Sequence, residues 1–270
     1  MLKNERQREI MGIILRQRYV KVSDLKRQFS VSDETIRRDL SDLEQTGRLH
    51  CVHGGAVLDA GSAGEFDINM RTQQNTKEKQ AICQEAAALV NDGDSIGILG
   101  STTAFWLGDC LENKSSLTVI TNSIYIANKL SVDPANEVVL IGGRVDPRSM
   151  KTMGALAEDT LANMYVDKTF FSVAGVRPDR GLTEYTEEEQ RLTAQAIHSA
   201  GRVILLSDHS KFGFAALRRI AGMDAVNDIV TDWNMTSGDL KVYEEMGIEV
   251  HRASAEKCNE KRDLIIGGSK

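Results

Sequence analysis

Only four residues, Phe29-Ser30-Val31-Ser32, separate two short amphipathic stretches near the start of this chain. A connection that brief leaves room for little but a tight corner between two helices. Before the corner, Ser23 reads as an N-cap, and Leu25 and Phe29 fall four apart on one face. After it, Ser32 reads as the N-cap of a further helix whose first turn carries Asp33 and Glu34, where negative charge meets the positive end of the helix dipole. Ile36, Leu40 and Leu43 recur at helical spacing and predict a buried stripe. Thr35, Arg37, Arg38 and Ser41 are left on the outer side, and Gly47 closes the helix. Upstream, residues 3–17 carry Ile10, Ile13 and Ile14 on a shared face and predict a first helix.

A polar helix with arginines and hydroxyls outward has the chemistry of a major-groove reader. Arginine bonds guanine bidentately, while Ser, Thr and backbone N–H groups hold phosphates. Residues 48–57 read as two short strands around a Gly54-Gly55 turn, a wing that can rest on the DNA backbone. The candidate DNA contacts are therefore Ser32, Thr35, Arg37, Arg38, Ser41, Arg48 and His53, with double-stranded operator DNA as the partner. An Arg-Arg pair alone is usually a solvated face; here the caps, corner, spacing and wing agree. Charge is divided in the same sense. Residues 1–57 hold 11 Lys and Arg against 8 Asp and Glu, whereas the remainder holds 22 against 31, so a basic head precedes an acidic body.

VSDETIRRDL, then Leu43-Glu44, then VHGGAV resembles the helix-turn-helix signature of DeoR-type bacterial regulators. One departure is Cys51, where that family usually has arginine; His50, His53 and Arg48 remain as candidates for phosphate contact by the wing.

Residues 58–75 are small and polar and read as a linker. From Thr76 the pattern alternates helices with apolar strands. An alanine-rich helix is expected at 81–90, and strands at 95–99, 117–121, 137–141, 169–174, 203–207 and 228–231. That alternation implies an α/β domain over 76–253 built on a mainly parallel sheet, joined to a winged helix-turn-helix domain over 1–57. Residues 254–270 read as a frayed or partner-packed tail.

Ligands of parallel sheets bind beyond the carboxyl ends of the strands. Those positions hold Gly100-Ser101-Thr102-Thr103, Thr121-Asn122-Ser123, Gly142-Gly143-Arg144, and a loop ending in Lys211-Phe212-Gly213. Glycine admits close backbone approach, hydroxyls donate, and a helix N-terminus favours an anion. Singly, each is an ordinary turn or cap. Jointly, Gly100, Ser101, Thr102, Thr103, Thr121, Asn122, Gly142, Gly143 and Lys211 point to a site for a small phosphate or carboxylate compound.

The resemblance continues through GSTT, TNS, IGG, VD-x-x-FF-x-x-AG and D-x-SKFG, in the order of the DeoR-type sensor domain. It implies a fold similar to ribose-5-phosphate isomerase and CoA transferases, with a phosphorylated sugar as effector. It also implies a phosphate loop at Gly100 to Thr103 and an acidic residue near Glu189 in the site.

No apolar run is long enough to span a bilayer, and the first residues are charged, so no membrane association and a cytoplasmic location are expected. Cys51, Cys83, Cys110 and Cys258 are scattered, which argues against a disulfide framework or a metal site, and no cofactor is implied. A single small head binds DNA weakly, so a homo-oligomer, dimer or tetramer, is expected. The functional expectation is a repressor of a carbohydrate catabolic operon, released or tightened by its effector. A sugar-phosphate isomerase, deaminase or CoA transferase with an added head is the alternative, with Asp208, His209, Glu184 and Glu189 as acid-base candidates. A DNA binder indifferent to small molecules is a third reading, which the strand-end loops disfavour.

Overall fold

Among the described residues, three helices and a three-stranded sheet build the amino-terminal unit of the computed structural model, which divides into Met1–Phe66 and Asp67–Lys270. The structure describes residues 2–17, 19–45, 49–52, 54–58, 74–147 and 149–255. Gly47, Arg48, His53, most of the 58–75 segment, Cys258 and the tail from 256 lie outside the described residues.

In the first unit, helix α1 (Lys3–Gln17), strand β1 (Tyr19–Lys21), helix α2 (Val22–Phe29) and helix α3 (Asp33–Gln45) precede the wing strands β2 (Leu49–Val52) and β3 (Gly55–Leu58). Ile10, Ile14, Leu25, Ile36 and Leu40 are buried together with Leu49, as the spacing predicts. Strand β1 is unanticipated: it pairs antiparallel with β3, giving the order β1-β3-β2. It also corrects the reading of Ser23. The N-cap position of α2 is Lys21, with no side-chain cap bond, and Ser23 lies inside the helix. Because β1 runs straight into α2, the Val22 N–H is met by the Gly54 carbonyl of the wing at 2.9 Å, so no capping hydroxyl is needed. Ser30, at φ 53°, ends α2 in the left-handed conformation.

The second unit has a seven-stranded sheet, every neighbouring pair parallel, in the order β15-β14-β12-β9-β4-β5-β6. The strands are β4 (Ser95–Ile98), β5 (Thr118–Thr121), β6 (Glu137–Leu140), β9 (Val166–Phe171), β12 (Ala200–Leu206), β14 (Asp228–Thr231) and β15 (Glu249–Arg252). Six of these were expected; β15, Glu-Val-His-Arg, has too little apolar content to announce itself. Helices α4 (Thr76–Ala87), α5 (Leu107–Cys110) and α6 (Ile124–Leu130) contribute to the core on one face. Helices α7 (Ala155–Ala162), α8 (Glu187–His198) and α9 (Ser237–Glu244) contribute to the other. Helix α4 starts five residues before the expected alanine-rich stretch, and Lys79 in that first part is buried despite its charge.

Both sheet faces are covered, which is why the strands read as continuous apolar runs. Phe170 packs with Ile82, Ile98 and Ile204 on one side of β9, while Phe171 packs with Leu161, Leu192 and Leu205 on the other; neither is exposed at all. Truncating either to alanine costs about 3–5 kcal/mol. Two antiparallel additions complete the unit: a hairpin of β7 (Arg144–Asp146) and β8 (Lys151–Met153), and a small sheet of β10 (Gly175–Arg177), β11 (Gly181–Glu184) and β13 (Arg218–Ala221).

From β4 the chain adds β5 and β6 to one side, and then β9, β12, β14 and β15 to the other. Strand order thus reverses between β4 and β9, and the carboxyl ends of strands at such a reversal form a natural crevice.

Candidate functional site

In the amino-terminal unit, α3 is the candidate reading helix. Ser32 caps it: its Oγ accepts from the Thr35 N–H at 3.2 Å and shares a proton with Thr35 Oγ1 at 2.9 Å. Arg37, Arg38 and Ser41 are exposed, and Thr35 is half-buried. What the sequence reading missed is the opposite side of this helix. Asp39 is buried and accepts from Arg6 Nε at 2.5 Å and Nη2 at 3.3 Å, so α1 grips α3 through a bidentate ion pair. Gln7 and Lys3 reach Asp42 one turn along, at 3.2 and 2.7 Å. One face of the helix carries paired carboxylates and the other presents exposed arginines, with Asp33 near Arg37 and Asp42 near Arg38. The signal was available: Asp39 lies three residues after Ile36, on the rim of the apolar stripe. In the wing, the Cys51 N–H donates to Glu44 Oε1 at 2.7 Å. Partial burial, then the hydrogen bond and charge of Glu44, push the Cys51 thiol up to about 11, so it stays neutral and sets no negative charge against DNA.

In the larger unit a cleft opens where strand order reverses. It is lined by the loop after β4 (Leu99, Gly100, Ser101, Thr102), by Asn122 after β5, by Ser172 and Val173 after β9, by Lys151 and Met153 of β8, by Glu184 of β11, and by Glu189, Leu192 and Thr193 of α8. It encloses about 540 Å3, its open mouth included. Leu99, Met153, Val173 and Leu192 are its apolar lining, and the rest of the wall is mostly polar, which suits a polar ligand better than an apolar one.

The loop after β4 leaves several backbone donors unused. The Gly100 N–H is committed to Asn122 Oδ1 at 2.7 Å, and Ser101 Oγ caps the following turn by accepting from the Ala104 N–H at 2.9 Å. Among the described residues none accepts from the N–H groups of Ser101, Thr102 and Thr103. Successive unbonded N–H groups entering a helical turn form a cradle for negative charge. Gly100 matters for packing as much as for ligand approach: a Cβ there would lie 3.1 Å from Ser123 Cβ and 3.5 Å from Lys151 Cβ.

Asn122 is the hinge pin of the cleft. Besides holding Gly100, it donates from Nδ2 to the Thr152 carbonyl at 2.9 Å, tying β5 to the hairpin. Thr121 is fully buried and its hydroxyl donates to the Ile98 carbonyl at 2.6 Å, stitching β5 to β4. Thr103 is also buried, and its carbonyl accepts from the Cys83 thiol at 3.1 Å.

Of the residues singled out in the sequence, the structure thus brings Gly100, Ser101, Thr102, Asn122 and Glu189 to the cleft wall, with Thr103 and Thr121 directly behind it. Gly142, Gly143 and Lys211 are not among its lining residues. Gly143 turns the chain into the hairpin at φ 138°, where a Cβ would lie 2.6 Å from the Met153 carbonyl oxygen. Lys211 ends the short helical turn after β12, and its charge, with that of Lys79, helps hold the buried Asp208 carboxyl below its usual range against the upward push of burial. Asp208 and His209 do not line the cleft either, so the four acid-base candidates are not assembled into one constellation. Lys151 is the charged lining residue that sequence reasoning missed, alongside Met153, Ser172, Leu192 and Thr193, since nothing around Pro147–Lys151 marks a ligand loop.

One group of possible metal ligands exists among the described residues. Asp228, Glu249 and His251 converge at the amino ends of β14 and β15. Arg202 already supplies the cation there, reaching both Asp228 oxygens at 2.6 and 2.7 Å and Glu249 at 2.7 Å.

Comparison with known proteins matches this architecture along nearly its whole length. The DeoR-like helix-turn-helix domain family matches residues 6–61, and the DeoR C-terminal sensor domain family matches residues 74–233. The chain is 36% identical to the HTH-type transcriptional regulator YulB of Bacillus subtilis (strain 168), over 93% of this chain and 96% of that protein. It is 30% identical to the glycerol-3-phosphate regulon repressor of Escherichia coli (strain K12), over 86% and 92%. Among solved structures, a ribose 5-phosphate isomerase from Plasmodium falciparum aligns over 50% of this chain and 52% of its own, with 14% identity and a TM-score of 0.36. No described helix is long and apolar enough to cross a membrane. The chain, a DNA-binding head followed by a sensor domain, belongs to the DeoR family of transcriptional regulators.

Proposed function

We propose that this regulator represses a carbohydrate catabolic operon from the cytoplasm and is controlled by a phosphorylated sugar bound in the cleft between β4 and β9. The observation that carries this reading is the run of unbonded N–H groups at Ser101–Thr103, set at the strand-order reversal with Asn122 behind it and a lysine beside it. A phosphate monoester suits that cradle, and the polar wall of Glu184, Glu189 and Ser172 suits hydroxyl groups. The name of the glycerol-3-phosphate regulon repressor supports the same ligand chemistry. Gly143 keeps a place in the proposal through the hairpin it turns, while Gly142 and Lys211, expected from the sequence to contact the effector, are not among the lining residues of the cleft.

In the head, Arg37 and Arg38 read base edges while Ser32, Thr35 and Ser41 hold phosphates, and Arg48 and His53 extend the contact through the wing. A homo-oligomer, dimer or tetramer, places two heads on a repeated operator. The effector acts by binding DNA-competent and DNA-incompetent arrangements with different affinity. The enzyme alternative has no supporting constellation and belongs to a different class from the family.

A thermal-shift screen tests the effector class. Phosphorylated sugars are expected to raise the unfolding temperature where their unphosphorylated parents do not, because a ligand bound only by the folded state must stabilise it. Stabilisation by neutral sugars alone, or by none of the phosphorylated compounds, contradicts the proposal.

A further inference from the structure

Among the described residues lining the cleft, Lys151 alone carries a cation, while Glu184 and Glu189 carry carboxylates. The backbone around Lys151 is fixed from both sides. The Met150 carbonyl accepts from the Ile124 N–H at 3.0 Å, and the Thr152 N–H donates to the Asn122 carbonyl at 2.8 Å. Asn122 in turn holds the Gly100 N–H, and Lys151 Cβ packs 3.5 Å from the point where a Gly100 side chain would begin. Lys151 and the anion cradle are therefore parts of one rigid block, which is how a ligand-reading side chain is best supported.

Glu189 comes from another element. One of its carboxylate oxygens accepts from Lys151 Nζ at 2.7 Å, and the other accepts from Thr186 Oγ1 at 3.0 Å at the start of α8. The two side chains retain 12% and 22% exposure, so the pair is largely desolvated and spans two walls of the cleft. A desolvated pair is not worth much to stability by comparison with apolar packing. It does place a carboxylate on the one ammonium among the described lining residues.

We infer that Glu189 and the effector's phosphate compete for the Lys151 ammonium: binding exchanges one ion pair for another and turns Glu189 to the effector's hydroxyl groups. This rests on the reading of the cleft as a phosphorylated-sugar site and adds its selection rule. A phosphate without hydroxyls takes the Lys151 ammonium from Glu189 and offers nothing in its place, and a sugar without phosphate cannot displace it. Only a ligand with both satisfies both sides of the exchange.

Isothermal titration of the full chain with inorganic phosphate, D-ribose 5-phosphate, D-glucose 6-phosphate and D-glucose tests this. Lys151→Met should weaken whichever sugar phosphate the wild type binds by about tenfold to a hundredfold, the size expected for one lost hydrogen bond to a charged group, and Lys151→Arg should largely retain it. Glu189→Gln should move inorganic phosphate the other way, tightening it severalfold, because the competitor has been neutralised. Opposite shifts in the two variants are the signature that a merely structural ion pair would not give. The inference is overturned if Lys151→Met binds as the wild type does, if Glu189→Gln weakens or leaves unchanged the affinity for phosphate, or if D-glucose binds as well as D-glucose 6-phosphate. Should Lys151→Met fail to fold, as judged by its circular-dichroism melt, the Lys151→Arg and Glu189→Gln arms decide the matter. Wild-type protein that binds none of the phosphorylated probes removes the sugar-phosphate reading itself. Wild-type binding with variants unchanged removes only the exchange.

Discussion

Asn75 Nδ2 donates to Asp208 Oδ1 at 2.9 Å, joining the residue that opens α4 to the loop that follows β12. Asn75 sits at the N-cap of α4 with φ 52° and makes no side-chain cap bond; its amide is turned outward to the buried carboxylate instead. Ser210 also donates to Asp208, through its N–H at 3.0 Å and through its hydroxyl. The start of the sensor domain and the Lys211 loop are thereby held as one piece.

Asn75→Ala is expected to lower stability by about 1–3 kcal/mol, the cost of leaving a charged acceptor short of a partner. Asn75→Asp should cost more, since it sets a second carboxylate against Asp208. Chemical denaturation of the full chain, following the sensor-domain transition, measures both. Equal stability of wild type and Asn75→Asp would show that the contact carries no weight.

Arg37 and Asp39 sit two residues apart on α3 and should fail in different ways. Asp39→Ala strands Arg6 in a buried site and is expected to cost the head about 3–5 kcal/mol, with DNA binding lost through unfolding. Arg37→Ala touches an exposed side chain. It should leave the melt within about 0.5 kcal/mol, while removing about 1–3 kcal/mol of discrimination at one base pair. Thermal melts paired with titrations against single-base operator variants separate the two. A large stability loss in Arg37→Ala would contradict the assignment of faces.

His209 supplies a pH dependence with a definite sign. Its Nδ1 lies 3.1 Å from Asp232 Oδ2, and that hydrogen bond, opposed by partial burial and aided by the Asp232 charge, raises the imidazole above its ordinary value. A raised folded-state value means the contribution is fully present below the unfolded value of about 6.5 and is lost as pH climbs through the folded one. The stability gap between wild type and His209→Gln should therefore be widest near pH 5.5 and shrink toward pH 9. A gap that grows with pH would reverse the assignment.

Much of this fold was legible because local and global signals coincide. The Ile36–Leu40–Leu43 stripe, the Ser32 cap and the six apolar strands each follow from a single period or a single capping group, and the structure places them accordingly. Strand β1 is only three residues long and strand β15 has one apolar residue in four, and segments so short or so polar become strands only when a neighbour supplies the ladder. In the cleft, the Gly100–Thr103 loop and Asn122 could be read from their places at strand ends. Lys151 could not. It reaches the cleft only because the Gly143 turn folds a hairpin back over Asn122, a long-range consequence that no spacing rule encodes.

On this reading the α3 helix grips DNA under the control of an anion held near Ser101–Thr103. Fluorescence anisotropy of the wild-type protein on DNA from upstream of its own gene, titrated with salt and then with sugar phosphates, measures both halves at once. Affinity should fall linearly with salt on logarithmic axes, and at fixed salt it should shift when a phosphorylated sugar that the protein binds is added. Attachment that ignores salt, or that stays the same with the sugar phosphate bound, would contradict it.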